Sequence, residues 1–118
     1  MPHKTPLQKL REICLALPEA TEQVFGGHTS ATFRVRDKIF AMENDYDGRT
    51  AFTCKAPPGA QRILVGSDPG RFFVPRYVGP KGWIGMCIDA DVDWGLVADL
   101  ATDSYRMTAP KRLSALIR

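Results

Sequence analysis

Residues 31–55, ATFRVRDKIFAMENDYDGRTAFTCK, hold three runs of strand-forming residues separated by two sharp reversals. Phe33 and Val35 alternate with Thr32, Arg34 and Arg36, the period-two pattern of a half-buried strand. Asp37 marks a tight turn, and Lys38 to Glu43 reads as the next strand. Asp47-Gly48 is a strong hairpin signal, because both residues tolerate the positive φ that a two-residue turn needs. The third strand covers Thr50 to Lys55, with Phe52 and Cys54 on one side and Thr53 and Lys55 on the other. Connections this short imply antiparallel pairing.

On the N-terminal side a helix is predicted. Thr5 is its N-cap, Pro6 occupies the first helical position, and Gln8 completes a capping box. Leu7, Leu10, Cys14 and Leu17 form one apolar stripe, and Pro18 ends the helix near Leu17. The stretch EATEQVFGGHTS, residues 19–30, has no period and reads as a loop around Gly26-Gly27.

On the C-terminal side Pro57-Pro58 opens a short helix, Pro58 to Val65, with Gly66 as its stop. Arg71 to Pro75 reads as a short strand or extended edge, since Pro75 cannot serve an interior ladder. Lys81 to Asp89 reads as the fifth strand. Asp89 or Asp91 is expected to cap a last long helix carrying Val92, Leu96 and Leu100, and a further helical turn follows Pro110. The order α-β-β-β-α-β-β-α predicts an α+β fold of two layers. A five-stranded antiparallel sheet carries the helices on one face, and residues 1–118 form one domain.

With 44% hydrophobic and 25% charged residues, the composition is that of a globular chain with one core. No apolar run reaches the roughly 20 residues of a membrane span, and the N-terminus lacks the apolar segment of a signal peptide. Cys14, Cys54 and Cys87 are isolated, which suits buried thiols in a reducing cytoplasm. The net charge of +3 is mild but sorted into blocks. Residues 55–86 hold five bases against Asp68 alone, and residues 87–105 hold five aspartates and no base.

If Ile84, Met86 and Ile88 face the helices, then Lys81, Trp83 and Cys87 point the other way. The same alternation sends Arg34, Arg36 and Lys55 to that second face. Three strands would thus build a basic platform with an indole in it, and Arg76 adds a further cation. Bases of this kind neutralise phosphates, and an exposed indole stacks on an unpaired base. The competing reading packs Trp83 beneath a loop with basic side chains lying over it.

Catalytic signatures do not hold up. His28 follows a glycine pair that lets a ligand approach, but nothing in the sequence brings Cys87 beside it. GSDPGR lacks the Lys-Ser/Thr of a phosphate loop, and DADVD lacks the glycine and glutamate of a calcium loop. No enzyme activity, metal or cofactor is therefore expected.

LREICLALPEATE, GGHTSATFRVRDKIFAM, TCKAPP, PRYVGPKGWIGMCID and DSYRMTAPKRL, taken in this order and spacing, resemble the MmcQ/YjbR family of small bacterial proteins. That resemblance implies a fold comparable to secretion-chaperone-like or CyaY-like domains and a DNA-binding role through a "double wing". Carried over by position, its polar features fall on His28, Lys55, Lys81 and Trp83, with Pro75 and Tyr77 framing a loop. The expected partner is DNA, held by Arg34, Arg36, Lys55, Arg76, Lys81 and Trp83. The alternative is a protein or small ligand bound at the same face or at the His28 loop with Tyr77, or a homodimer.

Overall fold

This computed structural model describes residues 4–24, 31–89 and 92–117. Helix α1 spans Pro6–Leu15. The Gln8 N–H donates to Thr5 Oγ1 at 3.1 Å and the Thr5 N–H donates to Gln8 Oε1 at 2.8 Å, which is the expected capping box. The helix ends two residues earlier than its apolar stripe predicts. Leu10 and Cys14 are its buried residues.

Among the described residues six strands follow: β1 Thr21–Val24, β2 Ala31–Val35, β3 Lys38–Tyr46, β4 Arg49–Cys54, β5 Phe72–Phe73 and β6 Ile84–Cys87. Their order in the sheet is β1-β2-β3-β4-β6-β5, and every pairing is antiparallel. Helix α2, Ala60–Ser67, precedes β5, while α3, Trp94–Thr108, and α4, Lys111–Ser114, close the chain. The α+β class and the antiparallel sheet are as predicted, with one strand more than expected. That strand is β1, read from sequence as loop. As an edge strand it is held by backbone bonding to β2, which leaves no apolar period to read.

Other boundaries also move. Strand β6 begins at Ile84, so Lys81 does not stand in a strand. It ends a 3-10 turn, Gly79–Lys81, and Gly82 at φ 88° reverses the chain before Trp83. Helix α2 runs through Gly66 to Ser67. Asp93 caps α3, its side chain accepting from the Leu96 N–H at 3.1 Å. Asp89 pairs with Arg49 instead, and Asp91 lies outside the described residues.

The register explains the two faces. Phe33, Ala41, Cys54 and Ile84 lie across from one another on the helix side, as do Glu43, Phe52, Met86 and Phe72. A bulge in β3 at Phe40 breaks the alternation, so that Phe40 and Ala41 are both fully buried in the core. Helix α3 answers this bulge. The Ser104 hydroxyl donates to the Phe40 carbonyl and accepts from the Lys55 N–H at 2.9 Å. Tyr105 meets the Phe40 ring edge-on at 5.4 Å, and its hydroxyl donates to the Pro18 carbonyl at 2.7 Å. Side chains from α1, α2, α3 and α4 pack into this one cluster, so these helices gather on one face.

Candidate functional site

The second face of the sheet carries a different set of side chains. Thr32, Met42, Thr53, Gly85 and Phe73 form one row across β2, β3, β4, β6 and β5, and Asn44, Ala51 and Cys87 form the next. Small residues at 51 and 85 let the Phe73 ring settle onto the sheet, where Ala51, Phe73 and Cys87 make a second buried cluster. The ring then stacks on Tyr46, with centroids 3.8 Å apart and planes 6° from parallel.

After Phe73 the chain turns over this face, and residues 74–78 form one wall of a groove of about 620 Å³. Its floor is laid by Thr32, Ile39, Met42, Asn44 and Thr53, and it extends to Tyr46 and Asp47. The floor is partly polar. The Thr53 hydroxyl donates to Asn44 Oδ1 at 2.8 Å, and the Thr32 hydroxyl donates to the Gln23 carbonyl at 2.9 Å.

The wall is pinned in place. The Gln61 side-chain amide on α2 donates to the carbonyls of Gly79, at 2.9 Å, and Trp83, at 2.6 Å. A β-carbon on Gly79 would come within 2.6 Å of Val74 Cγ1, so only glycine permits this close return of the chain. Between them the Val78 N–H donates to the Arg76 carbonyl at 2.6 Å across Tyr77, whose φ is 66°. This is a tight three-residue turn in a conformation unfavourable for a bulky residue. It leaves Tyr77 90% exposed.

The residues expected to form a basic platform separate into different places. Arg34 does point to the second face, where its Nε donates to Thr32 Oγ1 at 3.3 Å. Arg36 sits in the β2–β3 turn at φ 51° and pairs with Glu19 at 2.9 Å. Lys55 is half-buried just beyond β4. Lys81 is exposed in its 3-10 turn. Trp83 is only 7% exposed, so the accessible indole expected on this face is not there. Arg76 and Tyr77, together with the loop-framing Pro75, are the expected residues that line the groove. His28 lies outside the described residues.

The sequence reading missed the groove's own residues. Alternation continues through Met42, Asn44 and Tyr46, a signal for a longer strand that NDYDGR obscured as a turn. Gly85 inside a strand signalled the close approach that Phe73 makes.

Thiol chemistry is disfavoured. Burial pushes the Cys14 thiol up to about 12 and raises Cys54 and Cys87 as well, so all three stay protonated and shielded. Among the described residues no group of three or more His, Cys, Asp or Glu side chains is placed to hold a metal. No helix among them is long and apolar enough to cross a membrane.

Comparison with known proteins agrees with this architecture. The YjbR family model matches residues 15–107. The crystal structure of Deinococcus radiodurans protein DR2400, with a DUF419 family domain, superposes with a TM-score of 0.76 at 20% identity. The match covers 89% of this chain and 81% of that one, and at such identity it speaks to the fold. No curated protein matches.

Proposed function

This chain belongs to the YjbR family, and on that premise we propose that it is a non-catalytic binding domain working through the groove on the second sheet face. The observation that carries this reading is the groove itself. It is concave, about 620 Å³, walled by Phe73, Tyr46 and Tyr77 and floored by a few polar groups. Pockets that hold small ligands have this size and mix. Asn44 gives its oxygen to Thr53 and keeps amide N–H groups to orient a guest. Free, buried cysteines suit a reducing cytoplasm as the place of work.

The test uses the neutral dye Nile red, whose fluorescence rises in apolar surroundings. Saturable one-to-one binding is expected, abolished by Met42→Trp, which fills the groove floor, and retained by Met107→Trp on α3. Equal binding by both variants, or no saturable binding to the native protein, removes the reading.

A specific observation also favours nucleic acid. The 90% exposed Tyr77 stands between Arg76 and Lys81, both exposed, on a pinned loop. In this second reading Tyr77 takes the stacking role that the sequence suggested for Trp83, and Arg34, Arg76 and Lys81 meet phosphates. Labelled single- and double-stranded oligonucleotides at two salt concentrations test it by anisotropy. Binding should weaken steeply with salt and vanish in Arg76→Glu/Lys81→Glu. A double variant with native affinity excludes the reading.

A further inference from the structure

We propose that the groove takes a guest with one carboxylate on an apolar body, the carboxylate seated on the Arg34 guanidinium. The inference rests on the groove being the working surface and names the chemistry that enters it. Arg34 stands opposite Ile39 in the register, and its Nε donates to Thr32 Oγ1 at 3.3 Å. Ile39 and Thr32 both line the groove, so the guanidinium lies at its β2 end. Arg11, Arg36, Arg49, Arg71 and Arg106 each have a carboxylate within 3.8 Å. Among the described residues Arg34 has none, and it is half-buried, whereas Arg62, Arg76 and Arg112, which also lack one, are exposed.

The neighbouring carboxylates are committed elsewhere. Glu22 lies across from Phe33 on the helix side and takes two bonds from Arg11, while Glu19 is held by Arg36. Glu43 and Asp45 alternate with Met42, Asn44 and Tyr46, so they point to the helix side as well. Asp47 belongs to the hairpin turn at the opposite end of β3. The Thr32 hydroxyl, on a residue 3% exposed, donates to the Gln23 carbonyl and accepts from Arg34 Nε, which fixes the plane of the guanidinium. Its terminal N–H groups remain as a planar fork that matches the two oxygens of a carboxylate. Half-burial strengthens such a pairing over one in open water. Ile39, Met42 and the wall at 74–78 receive the apolar body.

Indole probes of similar shape test this by calorimetry at pH 7: indole-3-propionate, its neutral amide, tryptamine and indoxyl phosphate. Indole-3-propionate is expected to bind about tenfold tighter than the amide, with tryptamine weakest and indoxyl phosphate below the propionate. Arg34→Gln should bring the propionate down to the affinity of the amide and still bind Nile red as the native protein does, which shows the groove intact. Arg34→Lys keeps the charge without the fork and should lose most of the preference, whereas Arg62→Gln, on the exposed side of α2, should keep it. Equal binding of propionate and amide by the native protein overturns the inference while leaving the groove as a binding site. So does a full preference in either variant at position 34, or saturable Nile red binding with none of the four probes bound. Tightest binding of indoxyl phosphate overturns the carboxylate and assigns a phosphate to Arg34. Failure of all four probes together with failure of Nile red removes both the inference and the reading beneath it.

Discussion

The ring of Phe73 lies so close over Gly85 that a β-carbon on Gly85 would come within 2.3 Å of its Cε2 and Cζ atoms. Backbone pairing puts the two residues opposite each other, Phe73 on edge strand β5 and Gly85 on β6. The missing side chain on one strand is what makes room for the aromatic wall of the groove on the other. Gly85→Ala should therefore lift Phe73 off the sheet and part it from Tyr46. Overpacking of this kind costs about 1–3 kcal/mol. Chemical denaturation checks the loss of stability, and the Nile red titration should show weakened binding. An unchanged midpoint with unchanged binding contradicts the packing described.

Gln61 is placed to hold the wall without touching a guest. Its amide serves two carbonyls, and Gln61→Met keeps the length while removing both bonds. A stability loss of about 1–2 kcal/mol is expected. Hydrogen exchange should quicken at Lys81 and Gly82, whose N–H groups bond within the same turn. Gln61→Glu should behave alike, because an ionised carboxylate accepts but does not donate. Native exchange rates at those amides would show that the turn stands unaided.

Tyr77 combines strain with exposure, a pairing that packing alone does not explain. Tyr77→Gly relieves the positive φ and gives up almost no buried surface. Stability should hold or rise by up to about 1 kcal/mol. Affinity for groove probes, or for oligonucleotides, should fall. A variant that loses stability and keeps affinity would make Tyr77 a structural residue.

Arg49 grips Asp89 through two bonds of 3.0 Å and also donates to the Gly70 carbonyl, joining the β3–β4 hairpin to the end of β6. The hydrogen bond from Arg49 holds the Asp89 carboxyl below its ordinary value of 3.8. A depressed folded-state pKa means stability that is present above the unfolded value and lost as pH falls through the folded one. The native protein should thus be more stable than Asp89→Asn at neutral pH. The gap should close below about pH 4 and shrink in high salt, since the pair is solvent-accessible. Thermal melts across pH check this, and a gap that persists in acid argues against the ion pair.

Local chemistry was legible wherever neighbours in the chain make the structure. The Thr5–Gln8 capping box, the Asp47-Gly48 turn and the core-facing set Ile84, Met86 and Ile88 are all readable from spacing alone. The edge strand β1 was not, because its order comes from a partner strand rather than from its own side chains. The cap of α3, expected at Asp89 or Asp91, falls on Asp93 for a related reason. Several aspartates were equally fit for the cap, and Arg49, distant in sequence, claimed Asp89.

Periodicity and turn chemistry therefore set the α+β class, the antiparallel pairing and the apolar face, since each depends on steric preferences within a few residues. Which side chains share the second face was settled by long-range packing. One extra residue at Phe40 resets the alternation of β3, and Gly82 turns the chain so that Trp83 is packed away while Tyr77 stands outside. Alternation along a strand says which residues oppose one another; only the register between strands, and the path of the loop above them, says what that face is left to bind.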